Sequence, residues 1–316
     1  MLLSVVIPVL NEEPNVEPLY QRLSAVVKTL DVGCEFIFVN DGSVDRTLEK
    51  IKDLRAKDPR VRFVDFSRNF GHQIAVTAGI DHARGDAVVI IDADLQDPPE
   101  LIAPMLEKMR QGYEVVYARR EKREGESWFK KATAKLFYRL LRRLASVEIP
   151  VDTGDFRVIS REVADVLRAM PEKQKFIRGQ ISWIGFRQTF VGYERDVRHA
   201  GKTKYPFRKM LRLALDGITG FSTVPLKFSA ILGFLTAGLA FVLIVWVLVL
   251  KAVGAPVEPG WASMMIVSLF LGGVQLICIG ILGEYLGRVS DAVKNRPLYI
   301  VRQASEPIFS TGDKNA

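Results

Sequence analysis

Short apolar runs alternate with helical stretches along the first 118 residues of the chain. Runs of the length and composition of buried strands occupy residues 4–10, 35–39, 61–65, 87–91 and 114–117. The first is followed by a helical stretch from about Val16 to Leu30, and the second by a helix beginning near Asp45. This alternation predicts an α/β fold with a mainly parallel sheet wrapped by helices.

Polar residues cluster at the ends of successive apolar runs. They are Asn11 and Glu12 after the first run, Asp41 and Ser43 after the second, and Asp92 and Asp94 after the fourth. Ligands of parallel α/β sheets bind beyond the carboxyl ends of the strands. We therefore expect these side chains to project into one crevice.

Asp92, Asp94 and Asp97 follow a single apolar strand, with Gln96 among them. Like charges at one strand end are costly unless a cation neutralises them. Oxygen ligands suit Mg²⁺ or Mn²⁺, which commonly share their remaining positions with water and substrate phosphates. The segment therefore predicts a metal-diphosphate site. The alternative is a solvated, Asp-rich turn before a helix.

The composition changes sharply beyond residue 224. Phe228–Leu250 and Pro259–Gly283 contain no charged residue, and the first would extend about 34 Å as a helix. Two membrane spans are predicted, at about 227–250 and 260–284, forming a hairpin over residues 225–287. Buried helices of a soluble domain are the weaker alternative at this length.

The orientation of this hairpin follows from the basic residues near its ends. Arg208 and Lys227 lie before the first span and Arg288 and Arg302 after the second, whereas Lys251 is the only basic residue of the connecting loop. No secretory signal is visible at the N-terminus. A catalytic domain at residues 1–224 and a C-terminal tail at 288–316 are therefore both expected in the cytoplasm.

Basic stretches lie between the predicted sheet and the spans. Residues 127–145 have apolar positions every four residues with cationic flanks, and a second basic, aromatic stretch leads into residues 205–222. Both predict amphipathic helices at an anionic membrane surface, which also explains much of the net charge of +8. A solvated helix face is the alternative. No nucleic-acid recognition motif accompanies the charge.

Four motifs, in order, carry a family resemblance. They are Val6-Ile-Pro-Val-Leu-Asn-Glu-Glu13, Val39-Asn-Asp-Gly-Ser-Val-Asp-Arg-Thr47, Asn69-Phe-Gly-His-Gln73 and Asp92-Ala-Asp-Leu-Gln-Asp-Pro-Pro-Glu100. The chain resembles family 2 glycosyltransferases with the GT-A (Rossmann-like) fold. Within them it is most similar to polyprenyl-phosphate glycosyltransferases, the group of dolichol-phosphate mannose synthase and the bacterial enzymes that make undecaprenyl-phosphate sugars.

The resemblance implies a role for individual residues. Nucleotide binding is implied for Pro8, Asn11, Glu12, Asp41 and Ser43, and metal binding for Asp94 and Gln96. Asp92 is expected near the diphosphate and sugar, Asp155 to orient or deprotonate the acceptor, and Arg157 to bind sugar or phosphate. The alternative for Asp155 and Arg157 is a structural ion pair. Basic residues placed to hold phosphate are Arg119, Lys131 and Lys204.

The implied reaction is inverting transfer of a hexose to a polyprenyl phosphate such as undecaprenyl phosphate, giving a lipid-linked sugar for the cell envelope. UDP-glucose is favoured as donor, with GDP-mannose as the alternative. The resemblance also implies an integral protein of the bacterial plasma membrane, with a homotetramer plausible through the hairpins. Two rivals are a processive polysaccharide synthase, which lacks support because Gln180-Ile-Ser-Trp183 has no Arg, and a catalytically silent membrane scaffold.

Overall fold

The computed structural model describes residues 1–120, 153–193, 222–253 and 260–305. All five strands predicted from the apolar runs are present, with bounds that differ by at most three residues from the prediction. They are β1 (Leu2–Val9), β2 (Gly33–Asn40), β3 (Val61–Phe66), β4 (Ala87–Ile90) and β5 (Val115–Arg120).

Helices connect or follow these strands. They are α1 (Glu13–Lys28), α2 (Thr47–Lys57), α3 (His72–His82), α4 (Ile102–Arg110), α5 (Arg161–Ala169) and α6 (Ile177–Ile184), with a 3₁₀ turn at Pro99–Leu101. Helix α1 begins earlier than the predicted Val16, because Pro14 suits the first helical turn, where its missing N–H costs no hydrogen bond. Glu13 adds a favourable negative charge at the same end.

Three further strands complete the sheet: β6 (Thr153–Ser160), β7 (Gln188–Tyr193) and β8 (Val301–Ala304). The order is β7-β5-β6-β4-β1-β2-β3-β8. The β1–β2, β1–β4, β2–β3 and β5–β7 pairs are parallel, whereas β6 and β8 pair antiparallel with their neighbours. The prediction of a mainly parallel α/β sheet is confirmed, and the antiparallel strands make the sheet mixed.

The central strands are buried on both faces. In β1, Val5 and Ile7 pack into one apolar cluster, while Val6 between them packs into a second cluster on the other face. This double burial explains why the strand is a continuous apolar run rather than an alternating one. Helix α3 approaches so closely that a Cβ on Gly79 would lie 2.1 Å from Cγ1 of Val6, so only glycine fits there.

The chain divides into two compact units, and the sheet with its helices belongs to the first. In the second unit, the described residues form two long helices, α7 (Val224–Ala252) and α8 (Trp261–Val293). They contact each other where the Cys278 Sγ lies 3.6 Å from the Ser229 carbonyl oxygen. Both are long and apolar enough to cross a membrane. Helix α8 extends past the predicted end of the second span. Glu284 at that end and Arg288 on the extension form an ion pair of 3.0 Å.

Two predicted features need separate mention. The segment predicted as a C-terminal tail returns to the sheet, because Val301–Ala304 form β8 beside β3. The predicted surface helices at 127–145 and 205–222 lie outside the described residues apart from Ser222, as do Lys131 and Lys204.

Candidate active site

The loops after β1 and β2 are tied directly to each other. The Asn11 N–H donates to Ser43 Oγ at 2.9 Å, and Asn11 Oδ1 accepts from the Val44 N–H at 2.9 Å. Asn11 has a positive φ of 53°, a conformation that asparagine tolerates better than most residues. Glu12 joins the same frame, since its N–H donates to Thr47 Oγ1 at 2.9 Å. Three predicted nucleotide-binding residues, Asn11, Glu12 and Ser43, are therefore neighbours.

Asp41 connects these loops to the loop that precedes α3. Its carboxylate accepts the Phe70 N–H at 2.6 Å and the Gly71 N–H at 3.0 Å. Burial raises the pKa of Asp41, and these two backbone hydrogen bonds act against the rise. A Cβ on Gly42, at φ +71°, would lie 2.6 Å from the backbone nitrogen of Asn69. The Asp41 side chain therefore fixes the 70–71 backbone, and Gly42 permits the close approach.

Pro8 lies near the C-terminal end of β1, opposite Val39 of β2. It is buried in the sheet, unlike Asn11 and Glu12, which are on the partly open side of the loop. Pro8 would therefore affect ligand binding indirectly, by fixing the backbone of β1 just before the loop that carries Asn11 and Glu12.

The segment after β4 alternates between open and buried positions. Asp92, Asp94 and Gln96 are partly exposed, whereas Leu95 and Asp97 are buried. The Gln96 N–H donates to Asp94 Oδ1 at 3.2 Å, and Leu95 between them has a positive φ of 59°. Such a conformation is costly for leucine and is typical of functional turns. The alternation brings three oxygen-bearing side chains to one side of the segment.

Asp97 is more deeply buried than the other two carboxylates of the predicted group. It is 1% exposed, and it accepts a hydrogen bond from the Tyr193 hydroxyl at the end of β7. Its charge still acts on Asp92, since Asp97 and Asp94 both add to the rise in the pKa of Asp92. The three carboxylates therefore lie close together, with Asp97 on the buried side.

Strand β6 brings Asp155 opposite Asp92. In the antiparallel β4–β6 pair, Ile90 lies opposite Arg157. Asp92, two residues after Ile90, therefore corresponds to Asp155, two residues before Arg157. Asp155 Oδ2 lies 3.1 Å from His72 Nε2, and Asp92 Oδ1 lies 3.6 Å from the same nitrogen. His72 therefore sits between the two carboxylates.

Two arginines complete the surroundings of Asp155. Arg157 Nη2 and Arg178 Nε each lie 3.0 Å from Asp155 Oδ1. Burial alone would raise the pKa of Asp155, but Arg178, His72 and Arg157 hold it well below its usual range. Asp155 is consequently ionised at neutral pH. We call Asp155, His72, Arg157 and Arg178 the Asp155 network.

The two groups beside Asp155 have shifted pKa values of their own. Burial acts to lower the pKa of His72, but Asp92 and Asp155 outweigh it and raise this pKa to about 9. Burial raises the pKa of Asp92 to about 6, with His72 acting against the rise and neighbouring carboxylates adding to it. His72 is thus a cation at neutral pH.

His72, Asp92 and Asp155 offer three ligand atoms within 4.8 Å of one another, a spacing that can hold a metal ion. However, His72 must lose its proton to bind a metal, and Asp155 already contacts two arginines. Asp94 and Gln96 offer the hard oxygen ligands that Mg²⁺ and Mn²⁺ prefer, beside the Asp92 carboxylate. These residues therefore offer the donor chemistry that a divalent ion requires.

The remaining predicted cation of the described residues, Arg119, lies in β5. Its guanidinium stacks over the Phe190 ring of β7 at 3.2 Å. Arg157 is only 1% exposed and lies 5.4 Å from the Tyr117 ring. The alternative interpretation of Asp155 and Arg157 as an ion pair matches the observed contact.

Sequence reasoning missed part of the site. Arg178 on α6 carries no motif, and its approach to Asp155 depends on packing between distant segments. Tyr193 was likewise not singled out. His72 stood within a recognised motif, and its location at the N-terminal end of α3, just after β3, was the available signal.

A mixed α/β sheet with polar loops at the carboxyl ends of β1, β2 and β4 defines a GT-A-like transferase fold. Residues 4–168 match the family described as Glycosyl transferase family 2, and residues 224–289 match the GtrB C-terminal hairpin. The chain belongs to glycosyl transferase family 2 and is a hexosyltransferase. The hairpin match and the two apolar helices make it a membrane protein.

Named relatives extend over nearly the full chain. The uncharacterized glycosyltransferase YkcC of Bacillus subtilis is 52% identical, over 95% of this chain and 93% of the relative. The prophage-derived bactoprenol glucosyl transferase of Shigella flexneri is 42% identical, over 96% of this chain and 98% of the relative. These alignments include both the sheet and the hairpin.

Among solved structures, glucosyl-3-phosphoglycerate synthase of Mycobacterium tuberculosis, in complex with Mn²⁺, UDP-glucose and phosphoglyceric acid, is 23% identical. It covers 69% of this chain and 77% of that chain with a TM-score of 0.44. At this level the likeness carries no argument about the ligands of the present protein.

Proposed function

We propose that this protein transfers glucose from UDP-glucose to a polyprenyl phosphate such as undecaprenyl phosphate, with inversion at the anomeric carbon. The observation that carries the proposal is the full-length similarity to bactoprenol glucosyl transferases, at 42% identity over 98% of the relative from Shigella flexneri. That similarity includes the hairpin as well as the sheet. The product would be a lipid-linked sugar phosphate for glycosylation of the cell envelope.

The donor nucleotide would lie over the loops after β1 and β2. The residues assigned to it are Pro8, Asn11, Glu12, Asp41 and Ser43. Support comes from the hydrogen bonds that join Asn11 to Ser43 and Asp41 to the 70–71 backbone. These contacts hold the loops in place before a ligand binds, which reduces the entropic cost of binding.

A divalent ion, Mg²⁺ or Mn²⁺, would be held by Asp94 and Gln96, with Asp92 beside the diphosphate and sugar. When bound, such an ion supplies positive charge to the departing diphosphate. In the transfer, an acceptor phosphate oxygen forms a bond to the anomeric carbon while the bond from that carbon to the diphosphate breaks. The electron pair of the broken bond leaves with the nucleoside diphosphate.

Asp155 would orient the acceptor rather than deprotonate it. An acceptor phosphate is largely ionised at neutral pH, since its second pKa is about 6, so a strong base is not required. The three cations around Asp155 hold its pKa well below the usual range, which makes it a poor proton acceptor. Arg157 would act through Asp155, because its own side chain is buried.

Positive charge must bring an anionic donor and an anionic acceptor together. We assign this role to Arg119, and to Lys131 and Lys204 by their placement in the sequence. The stacking of Arg119 on Phe190 supports the assignment, because it restricts the guanidinium to one region at the end of β5.

The same proposal includes the placement of the protein in the membrane. The catalytic domain, residues 1–224, and the segment 288–316 would be cytoplasmic, with the hairpin at 225–287 in the plasma membrane. The basic residues on both outer flanks of the hairpin support this orientation. Assembly into a homotetramer through the hairpins is part of the proposal, and nucleic acid is not a proposed partner.

The test is transfer of radiolabel to undecaprenyl phosphate by the full chain in detergent. UDP-glucose and GDP-mannose are supplied separately, each with Mg²⁺ or Mn²⁺ and each with chelator. Metal-dependent label in the lipid fraction from UDP-glucose supports the proposal, whereas label from GDP-mannose alone would replace the proposed donor. No label from a wider donor panel would favour a silent scaffold.

A further inference from the structure

The chain after helix α8 lies along the outer edge of the sheet. Strand β8 pairs antiparallel with β3. Ser305 ends the pairing, because its N–H donates to the Phe63 carbonyl at 3.0 Å and its Oγ accepts from the Phe63 N–H at 3.0 Å. Residues 299–305 thus belong to the same unit as the active site.

This segment binds both backbone groups of Ser67, the residue that follows β3. The Ser67 N–H donates to the Ile300 carbonyl at 2.9 Å. Arg302 Nη2 donates to the Ser67 carbonyl at 2.6 Å. The start of the 67–71 loop is therefore fixed by residues from the far end of the chain.

Aromatic contacts extend the connection along the same loop. The Tyr299 ring stacks on Phe66, with centroids 5.1 Å apart, and Phe66 meets Phe70 edge to face at 5.5 Å. The Tyr299 hydroxyl donates to Asp81 of α3 at 3.0 Å. Tyr299 is thus held at both its ring and its hydroxyl, and its ring contact leads to Phe70.

The other end of the loop contacts the predicted nucleotide site. Phe70 and Gly71 donate their N–H groups to Asp41. Residues 299–302 fix the loop at Ser67 and Phe66, and Asp41 fixes it at Phe70 and Gly71. A loop held at both ends needs less ordering when a ligand binds.

We propose that residues 299–302 are a positioning element for the nucleotide half of the donor site, acting through the 67–71 loop on Asp41. The inference rests on the proposed function, because it takes Asp41 as part of the nucleotide site. Residues 299–302, which follow the membrane hairpin, would thus raise the affinity for the donor without contacting it.

Arg302→Ala tests this element most directly. Arg302 is exposed, so the protein should fold, but the contact with the Ser67 carbonyl is lost. UDP affinity is measured by calorimetry on the full chain in detergent with Mn²⁺, and the KM for the sugar donor and kcat are measured separately. We expect Kd and KM to rise roughly three- to tenfold with kcat unchanged. Arg302→Lys retains a donor group and should restore part of the affinity.

Gln303→Ala is the matched control. Gln303 is exposed on the same strand and loses one hydrogen bond, with Lys52 at 2.8 Å, that does not involve the 67–71 loop. Unchanged UDP affinity in Gln303→Ala, together with weakened affinity in Arg302→Ala, supports the inference. Equal weakening in both variants would indicate general loosening of the edge and overturn it.

The two hypotheses can fail separately. Wild-type affinity for UDP retained by Arg302→Ala overturns the positioning role while the proposed function stands. A wild-type chain that binds neither UDP nor GDP overturns the nucleotide site itself, and the positioning role with it. Melting temperatures of all variants, measured beside the affinities, identify any loss that comes from unfolding.

Discussion

Two acidic groups lie side by side at the end of β4 and β6, and their charges are balanced differently. Asp92, Asp94 and Gln96 come from one segment and are partly exposed. Asp155 is surrounded by His72, Arg157 and Arg178, which come from other turns of the chain. Asp155 therefore has its own cations, whereas the proposed function assigns a divalent ion to the first group.

This difference suggests that the two groups have different roles. A carboxylate that binds a metal must remain accessible, and the cost of its charge is offset when the ion binds. A carboxylate neutralised internally is fixed in position whether or not a ligand is present. Asp92 touches both groups, because its Oδ1 lies 3.6 Å from His72 Nε2. With the proposed ion bound, the site would combine a positive charge that can leave with positive charges that belong to the protein.

The largest effect is expected from Asp94→Asn. This change keeps the size of the side chain but removes the charge that a divalent ion requires, and transfer should fall by roughly a hundredfold or more. Glu100→Gln is the matched control, since Glu100 is an exposed carboxylate paired with Arg22. Metal-dependent transfer is measured in detergent, and near-normal turnover in Asp94→Asn would contradict the metal assignment.

Arg178→Gln removes one cation from the Asp155 network. We expect kcat to fall about tenfold or more, because a displaced Asp155 no longer orients the acceptor, while the donor KM stays close to wild type. Arg178→Lys should recover part of kcat. Arg187→Gln is the control, as Arg187 is exposed and stacks on Tyr113. A donor KM that rises as much as kcat falls would argue against this role.

His72 predicts a dependence of stability on alkaline pH. Its pKa rises from 6.5 to about 9 in the folded protein, so folding favours the protonated form. The contribution is complete below pH 6.5 and is lost as pH rises through 9. It amounts to on the order of 2 kcal/mol after allowance for partial exposure.

Melting temperatures of the wild type and His72→Gln, followed across this pH range, test the sign. The difference between the two proteins should be largest at low pH and should shrink as His72 loses its proton. A difference that is independent of pH would show that the charge of His72 does not stabilise the fold. The control is Asp53→Asn, which changes an exposed surface charge on α2. Asp65→Asn is unsuitable because Asp65 is buried.

The smallest effect is expected from Phe190→Leu. The Arg119 guanidinium would lose its stacking partner, and the KM for the polyprenyl phosphate should rise by roughly two- to fivefold. Tyr113→Leu removes a similar stack, on Arg187, away from the site. An equal change in both variants would remove the support that stacking gives to the Arg119 assignment.

The sequence predicts the central sheet well because its strands are buried on both faces. Val5, Val6 and Ile7 form a continuous apolar run for that reason, and polar residues mark where the strand ends. Asn11, Asp41 and Asp92 lie directly after such strands, so their clustering at one edge follows from parallel pairing. Local sequence suffices where burial and strand order impose a simple pattern.

The Asp155 network could not be predicted in the same way. It depends on the antiparallel register of β6 against β4 and on the placement of α6, which carries Arg178. Neither leaves a periodic signal in the sequence. Asp97 shows the related limit within one segment, because its buried partner, Tyr193, lies nearly one hundred residues later in the chain.

Strand β8 also has a consequence for how the protein is made. β3 is synthesised long before Val301–Ala304, and both apolar helices come between them in the chain. On the ribosome, the outer edge of β3 therefore stays without this partner until the hairpin has been translated. Because an open strand edge invites pairing with other chains, the nascent sheet is exposed to aggregation until residues 301–304 have been translated and have paired with β3.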